Sequence, residues 1–71
     1  MNNRHLKIDP VKMQAARLMR GLTLEELGAR IDYSHAALSY IEQGQTKNPT
    51  PRLIQRLTSI LGIDILVGSE P

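Results

Sequence analysis

Four stop–start signals cut this chain into helices too short to stand alone. Asp9-Pro10 opens the first: Asp accepts from the free N–H groups of the opening turn, and Pro sits where its missing N–H costs nothing. Gly21 closes that helix. Thr23 follows with Glu26 three residues on, the reciprocal capping box of a second helix. Asp32-Tyr33-Ser34 breaks the second helix, Ser34 caps a third and Gly44 ends it. Thr50-Pro51 repeats the cap-plus-Pro start for a fourth, which Gly62 closes. Isolated helices shorter than about 12–15 residues are marginal in water, so these must be held by packing on one another.

The apolar residues recur at helical spacing. Val11, Ala15, Leu18 and Leu22 predict an inward stripe on the first helix, and Leu24, Leu27 and Ile31 one on the second. Leu38 and Ile41 serve the third, while Leu53, Ile54, Leu57, Ile60 and Leu61 give the fourth a broad apolar face. Tyr33 and Tyr40 are the only aromatic residues, so the core of this 71-residue chain is aliphatic. Cysteine is absent, which excludes disulfides and thiolate–zinc sites as reinforcement. We read residues 1–8 as a flexible N-terminal arm, 9–67 as one domain and 68–71 as a tail. After Gly62 the chain runs Ile63, Asp64, Ile65, Leu66, Val67; Asp64 can cap a last turn, and Ile65-Leu66-Val67 reads equally well as a short strand.

Charge narrows the function classes. The formal balance is +2, and Arg4, Lys7, Lys12, Arg17 and Arg20 meet only Asp9 in the N-terminal part, a distribution compatible with nucleic acid. No apolar run approaches the ~20 residues of a membrane span, and nothing resembles a cleaved signal sequence, so a cytoplasmic protein with no membrane partner is expected. His5 and His35 are too isolated to argue for metal. Glu25, Glu26 and Glu42 lie in helical or capping contexts without an acid–base partner. Neither enzyme activity nor a cofactor is expected.

The informative stretch is the pair of short helices around Asp32. Two helices crossing steeply need a minimal side chain where they touch, which Gly28 supplies, and a corner residue that tolerates positive φ, which Asp32 does better than most. The phrases GLTLEELGARI, SHAALSYIEQG and NPTPRLIQRL then follow in order and spacing. Together they resemble the phage Cro/repressor-type (XRE) helix-turn-helix family over most of Val11 to Asp64. Three positions depart from the family's habit: Gly28 stands where Ala is usual, Asp32 where Gly is usual, and Leu24 where a phosphate-binding Gln is usual. Leu cannot make that hydrogen bond.

The resemblance implies an all-α, lambda-repressor-like DNA-binding domain: a compact bundle of about five short helices whose third lies in the major groove. Its base-reading face would carry His35, Ala36, Ser39 and Tyr40. His35 can donate to a base or a phosphate, Ala36 offers a methyl group to thymine or simply allows close approach, and Tyr40 can bond a base edge or pack on the flank. Phosphate contacts are implied for Thr23, Leu24, Ser34, Gly44, Gln45, Thr46 and Lys47, partly through backbone N–H groups. Arg17 and Glu42 match a pair that anchors the third helix in relatives, a structural role.

Double-stranded DNA is therefore the expected partner, bound at a palindromic or pseudo-palindromic site by a homodimer that represses transcription, which would associate the protein with the nucleoid. The aliphatic tail residues Ile63, Ile65, Leu66 and Val67 are the expected dimer contact. Two other readings use the same fold: an antitoxin that binds a toxin and represses its own operon, and a protein-interaction module that does not read DNA.

Overall fold

The computed structural model describes residues 7–45 and 49–67. Its order is α1 (Pro10–Met19), α2 (Leu24–Ile31), α3 (His35–Glu42) and α4 (Pro51–Leu61), followed by a single 3-10 turn at Ile63–Ile65. The predicted caps form. Asp9 Oδ1 accepts from the N–H groups of Val11 and Lys12 at 3.0 and 3.2 Å. Thr23 and Glu26 complete their box: Glu26 N–H donates to Thr23 Oγ1 at 3.0 Å, and Thr23 N–H to Glu26 Oε1 at 2.8 Å. Ser34 Oγ accepts from Ala37 N–H, and Thr50 Oγ1 from Leu53 N–H. Each cap satisfies an N–H that the helix itself leaves orphaned.

The core is aliphatic. Met13, Leu27, Leu38, Leu57 and Ile65 are fully buried, with Leu22, Ile31, Ile41, Leu53, Ile54, Leu61 and Leu66 around them. The α1 stripe expected from the sequence faces the wrong way. Val11 and Leu18 are exposed, as is Ala15, and only Leu22, beyond the helix end, is buried. Met13, Ala16 and Arg17 form the inward face instead. Both sets have helical spacing; what selects the second is that Arg17 finds a carboxylate inside the bundle, as described below.

The C-terminal segment is neither a fifth α-helix nor a strand of any length. After the 3-10 turn, Leu66 forms a single antiparallel bridge with Ile8. Asp9 N–H donates to the Ile65 carbonyl at 2.7 Å, and Val67 N–H to the Lys7 carbonyl at 2.9 Å. Lys7 and Ile8, the last two residues of the expected arm, thus belong to the fold. Ile65 and Leu66 fill the chain's own core, which removes them from the surface of a tail-mediated dimer; Ile63 and Val67 remain exposed.

Candidate nucleic-acid interface

The corner between α2 and α3 is set by backbone geometry. Asp32 adopts φ 62° and ψ 46°, the left-handed conformation expected of it, and both its N–H and that of Tyr33 return to the Gly28 carbonyl. Those bonds fold the Tyr33 backbone over Gly28 so closely that a Cβ at Gly28 would overlap the Tyr33 carbonyl oxygen. Gly28 is required by contact, not by φ.

Arg56 adds a tie that the sequence did not signal. From α4 its Nη1 donates to the Ile31 carbonyl at 3.0 Å, and its guanidinium lies 6.0 Å from the centroid of the Tyr33 ring. It satisfies a carbonyl left open at the end of α2 and sits on an aromatic face. Arg56 and Ile31 are 25 residues apart in sequence, too far for any local pattern to reveal the bond.

α3 is held from beneath and from its end. Leu38 and Ile41 are buried, and Glu42 receives Arg17 in a bidentate pair: Nε to Oε2 at 2.7 Å and Nη2 to Oε1 at 3.0 Å. Arg17 Nη1 also donates to the Leu22 carbonyl at 2.7 Å. The side chains are only 10% and 7% exposed, so this pair is largely withdrawn from water. The hydrogen bonds from Arg17 to Glu42 hold the guanidinium pKa above its ordinary value, and the Glu42 charge adds to that against the cost of burial. One arginine thereby joins α1, the α1–α2 turn and the end of α3.

With that face fixed, α3 turns His35, Ala36 and Tyr40 outward, and Tyr40 is 56% exposed. Ser34 is exposed too, at the start of the helix. Ser39 is half-buried and its Oγ accepts from Gln43 Nε2 at 2.9 Å. Ala37 is half-buried as well and lines a groove with Tyr33, Tyr40 and Leu53. His35, Ala36 and Tyr40 therefore share one open surface, with Ser39 at its margin.

The residues implied for phosphate binding divide. Gly44 N–H donates to the Ile41 carbonyl and Gln45 N–H to the Tyr40 carbonyl, both at 2.9 Å, which closes α3 with Gly44 at φ 77°. Those two N–H groups are occupied within the chain, leaving the exposed Gln45 side chain as that turn's polar donor. Thr23 N–H is likewise occupied by Glu26, whose carboxyl it holds below the usual carboxylate range, with the Thr23 hydroxyl adding to the effect. The start of α2 thus carries Glu25 and Glu26 in its first turn, charges that oppose a phosphate there. Leu24 is half-buried against the core. Arg20 is exposed and donates to the Ala16 carbonyl at 3.1 Å. Arg4, His5, Thr46, Lys47 and Asn48 lie outside the described residues.

Among the described residues no helix is long and apolar enough to cross a membrane. Residues 13–67, well over half of the chain, match the helix-turn-helix family model. No curated protein matches the chain.

Proposed function

Since the chain belongs to the helix-turn-helix family of the Cro/C1 type, a family of DNA-binding regulators, we propose that it is a sequence-specific repressor that binds a palindromic or pseudo-palindromic site as a homodimer. The observation that carries this reading is the outer face of α3. His35, Ala36 and Tyr40 stand in solvent there while Leu38, Ile41 and the Arg17–Glu42 pair keep the opposite face from moving. A helix so held can enter a major groove without rearrangement, with His35 and Tyr40 donating to base edges and the Ala36 methyl meeting a thymine methyl. Ser34 and the Gln45 side chain flank that face and suit phosphate contacts that set the register, and Thr46 and Lys47, which follow Gln45 in the sequence, are proposed to extend them.

Binding should be steeply salt-dependent, with a log–log slope of about −0.9 per neutralised phosphate. Lys47→Ala is expected to weaken binding to all sequences and reduce that slope by about 1 per bound subunit. Tyr40→Ala and His35→Ala are expected to relax discrimination at particular base pairs, by about 1–3 kcal/mol each. Fluorescence anisotropy on a selected duplex and its single-base variants, over a salt series, reads all three. Absence of duplex binding at low salt would leave the family's fold serving a protein partner instead.

A further inference from the structure

The corner between α2 and α3 turns on Asp32, the one described non-glycine residue with positive φ. The angle between two rigid helices is set by the few dihedral angles at their junction, so whatever holds the residues beside Asp32 sets the direction in which α3 leaves α2. Local bonds do part of this: the Asp32 and Tyr33 N–H groups both return to the Gly28 carbonyl. They tie backbone to α2 and leave the Ile31 carbonyl and the Tyr33 ring to be held from elsewhere.

Arg56 holds both. From α4 it donates to the carbonyl of Ile31, the residue before the pivot, and lies over the ring of Tyr33, the residue after it. That carbonyl is one that a helix end leaves open, and the guanidinium there also meets the negative end of the α2 dipole. Tyr33 is half-buried and lines a groove with Ala37, Tyr40 and Ile41 of α3 and Leu53 of α4, so a shift of its ring moves the wall beside Tyr40. Among the described residues, the Arg56–Ile31 bond is the one hydrogen bond from α4 to the α2–α3 unit.

We infer that Arg56 is a positioning residue for base recognition: it clamps the corner on both sides of its pivot and so fixes the direction in which α3 presents His35 and Tyr40. A planar guanidinium suits this task, because it donates from its edge while its face rests on a ring. The competing role for an arginine in such a domain is direct neutralisation of a phosphate. Against that, Nη1 of Arg56 is committed to the chain's own carbonyl and the group lies on Tyr33. Arg30 provides the comparison. It lines the same groove as Arg56 beside Asp32 and is exposed, and among the described residues its side chain makes no hydrogen bond.

This rests on the DNA reading above, and the experiment separates the two. Arg56→Met keeps an unbranched stem beside Tyr33 and removes the donors, Arg56→Lys keeps the charge and a donor, and Arg30→Met removes the same charge from the same groove. On the selected duplex and its single-base variants, Arg56→Met should lose about tenfold in discrimination, the scale of one misplaced base contact, with the salt slope unchanged. Arg56→Lys should restore part of that loss and Arg30→Met should show none of it. Tyr33→Leu removes the ring but not the Ile31 bond and should show a smaller loss of the same kind, which keeps the test open if Arg56→Met does not fold. A slope reduced by about 1 per bound subunit with discrimination intact would overturn the proposal, because Arg56 would then be a phosphate contact. Equal losses in Arg56→Met and Arg30→Met would overturn it in favour of charge alone. A second measurement needs no DNA: amide residual dipolar couplings of the free protein report the orientation of α3 against α4. In Arg56→Met they should change along α3 as a block while α1 and α4 keep their relation, and couplings identical to those of the unmodified chain would overturn the proposal. If the unmodified chain binds no duplex at low salt, the DNA reading fails and base recognition with it, and the couplings alone decide whether Arg56 aims α3.

Discussion

Glu42→Gln is expected to lower stability by about 3–5 kcal/mol, the usual consequence of leaving a buried charge without its partner. Gln keeps the size of Glu but removes its charge and replaces one accepting oxygen with a donor that faces Arg17. Arg17 is nearly inaccessible in α1, and among the described residues its other hydrogen bond goes to the Leu22 carbonyl, not to a second acid. For a domain of this size each kcal/mol corresponds to roughly 4–8 °C in Tm, so the melting temperature should fall by roughly 12 °C or more. Circular dichroism melts at neutral pH measure it. A fall of less than about 4 °C would place the pair with exposed ion pairs, which contribute about 0–1 kcal/mol. Replacing both partners, Arg17→Met with Glu42→Leu, should recover part of the loss because no unpaired charge is left.

The second large effect is expected at the corner. Gly28→Ala would gain up to about 1 kcal/mol from helix propensity. Against that, its Cβ would overlap the Tyr33 carbonyl oxygen and lie 3.4 Å from the Tyr33 carbonyl carbon and 3.6 Å from the His35 nitrogen. These are backbone atoms and have no rotamer through which to retreat. Overpacking costs about 1–3 kcal/mol where side chains can adjust, so this site should lie at or above the upper end, a net loss of about 2 kcal/mol. Relief requires α3 to swing away from α2, which re-aims His35 and Tyr40. Operator affinity should therefore fall more than affinity for unrelated duplex DNA, measured well below the melting temperature. An unchanged Tm would mean that the corner relaxes freely and that the contact at Gly28 does not decide the residue there.

Where the sequence was sufficient, the deciding interaction spans only a few residues. The Asp9, Thr23–Glu26, Ser34 and Thr50 caps join side chains to N–H groups two or three positions away, so residue identity and spacing reveal them. The left-handed Asp32 is similarly local, and the phrases that resemble the family carried the helix-turn-helix and the outward side chains of α3 with them. Arg17–Glu42 was legible only through that resemblance, since nothing local links residues 25 positions apart.

Tertiary structure decided the rest, where two local solutions were equally good. Val11, Ala15 and Leu18 have the same periodicity as Met13, Ala16 and Arg17. Apolarity alone favours the first set; burial follows the second because Glu42 and the Leu22 carbonyl satisfy Arg17 inside the bundle. In the tail, composition marked Ile63 to Val67 as aliphatic but not which of them point inward. The bonds from Asp9 and Val67 to Ile65 and Lys7 draw Ile65 and Leu66 into the core and leave Ile63 and Val67 outside. Backbone donors around α3 show the same limit: the resemblance implies phosphate contacts for Gly44 and Gln45, yet closing the helix takes their N–H groups. A sequence states which groups are available, and the folded chain determines which of them are already satisfied.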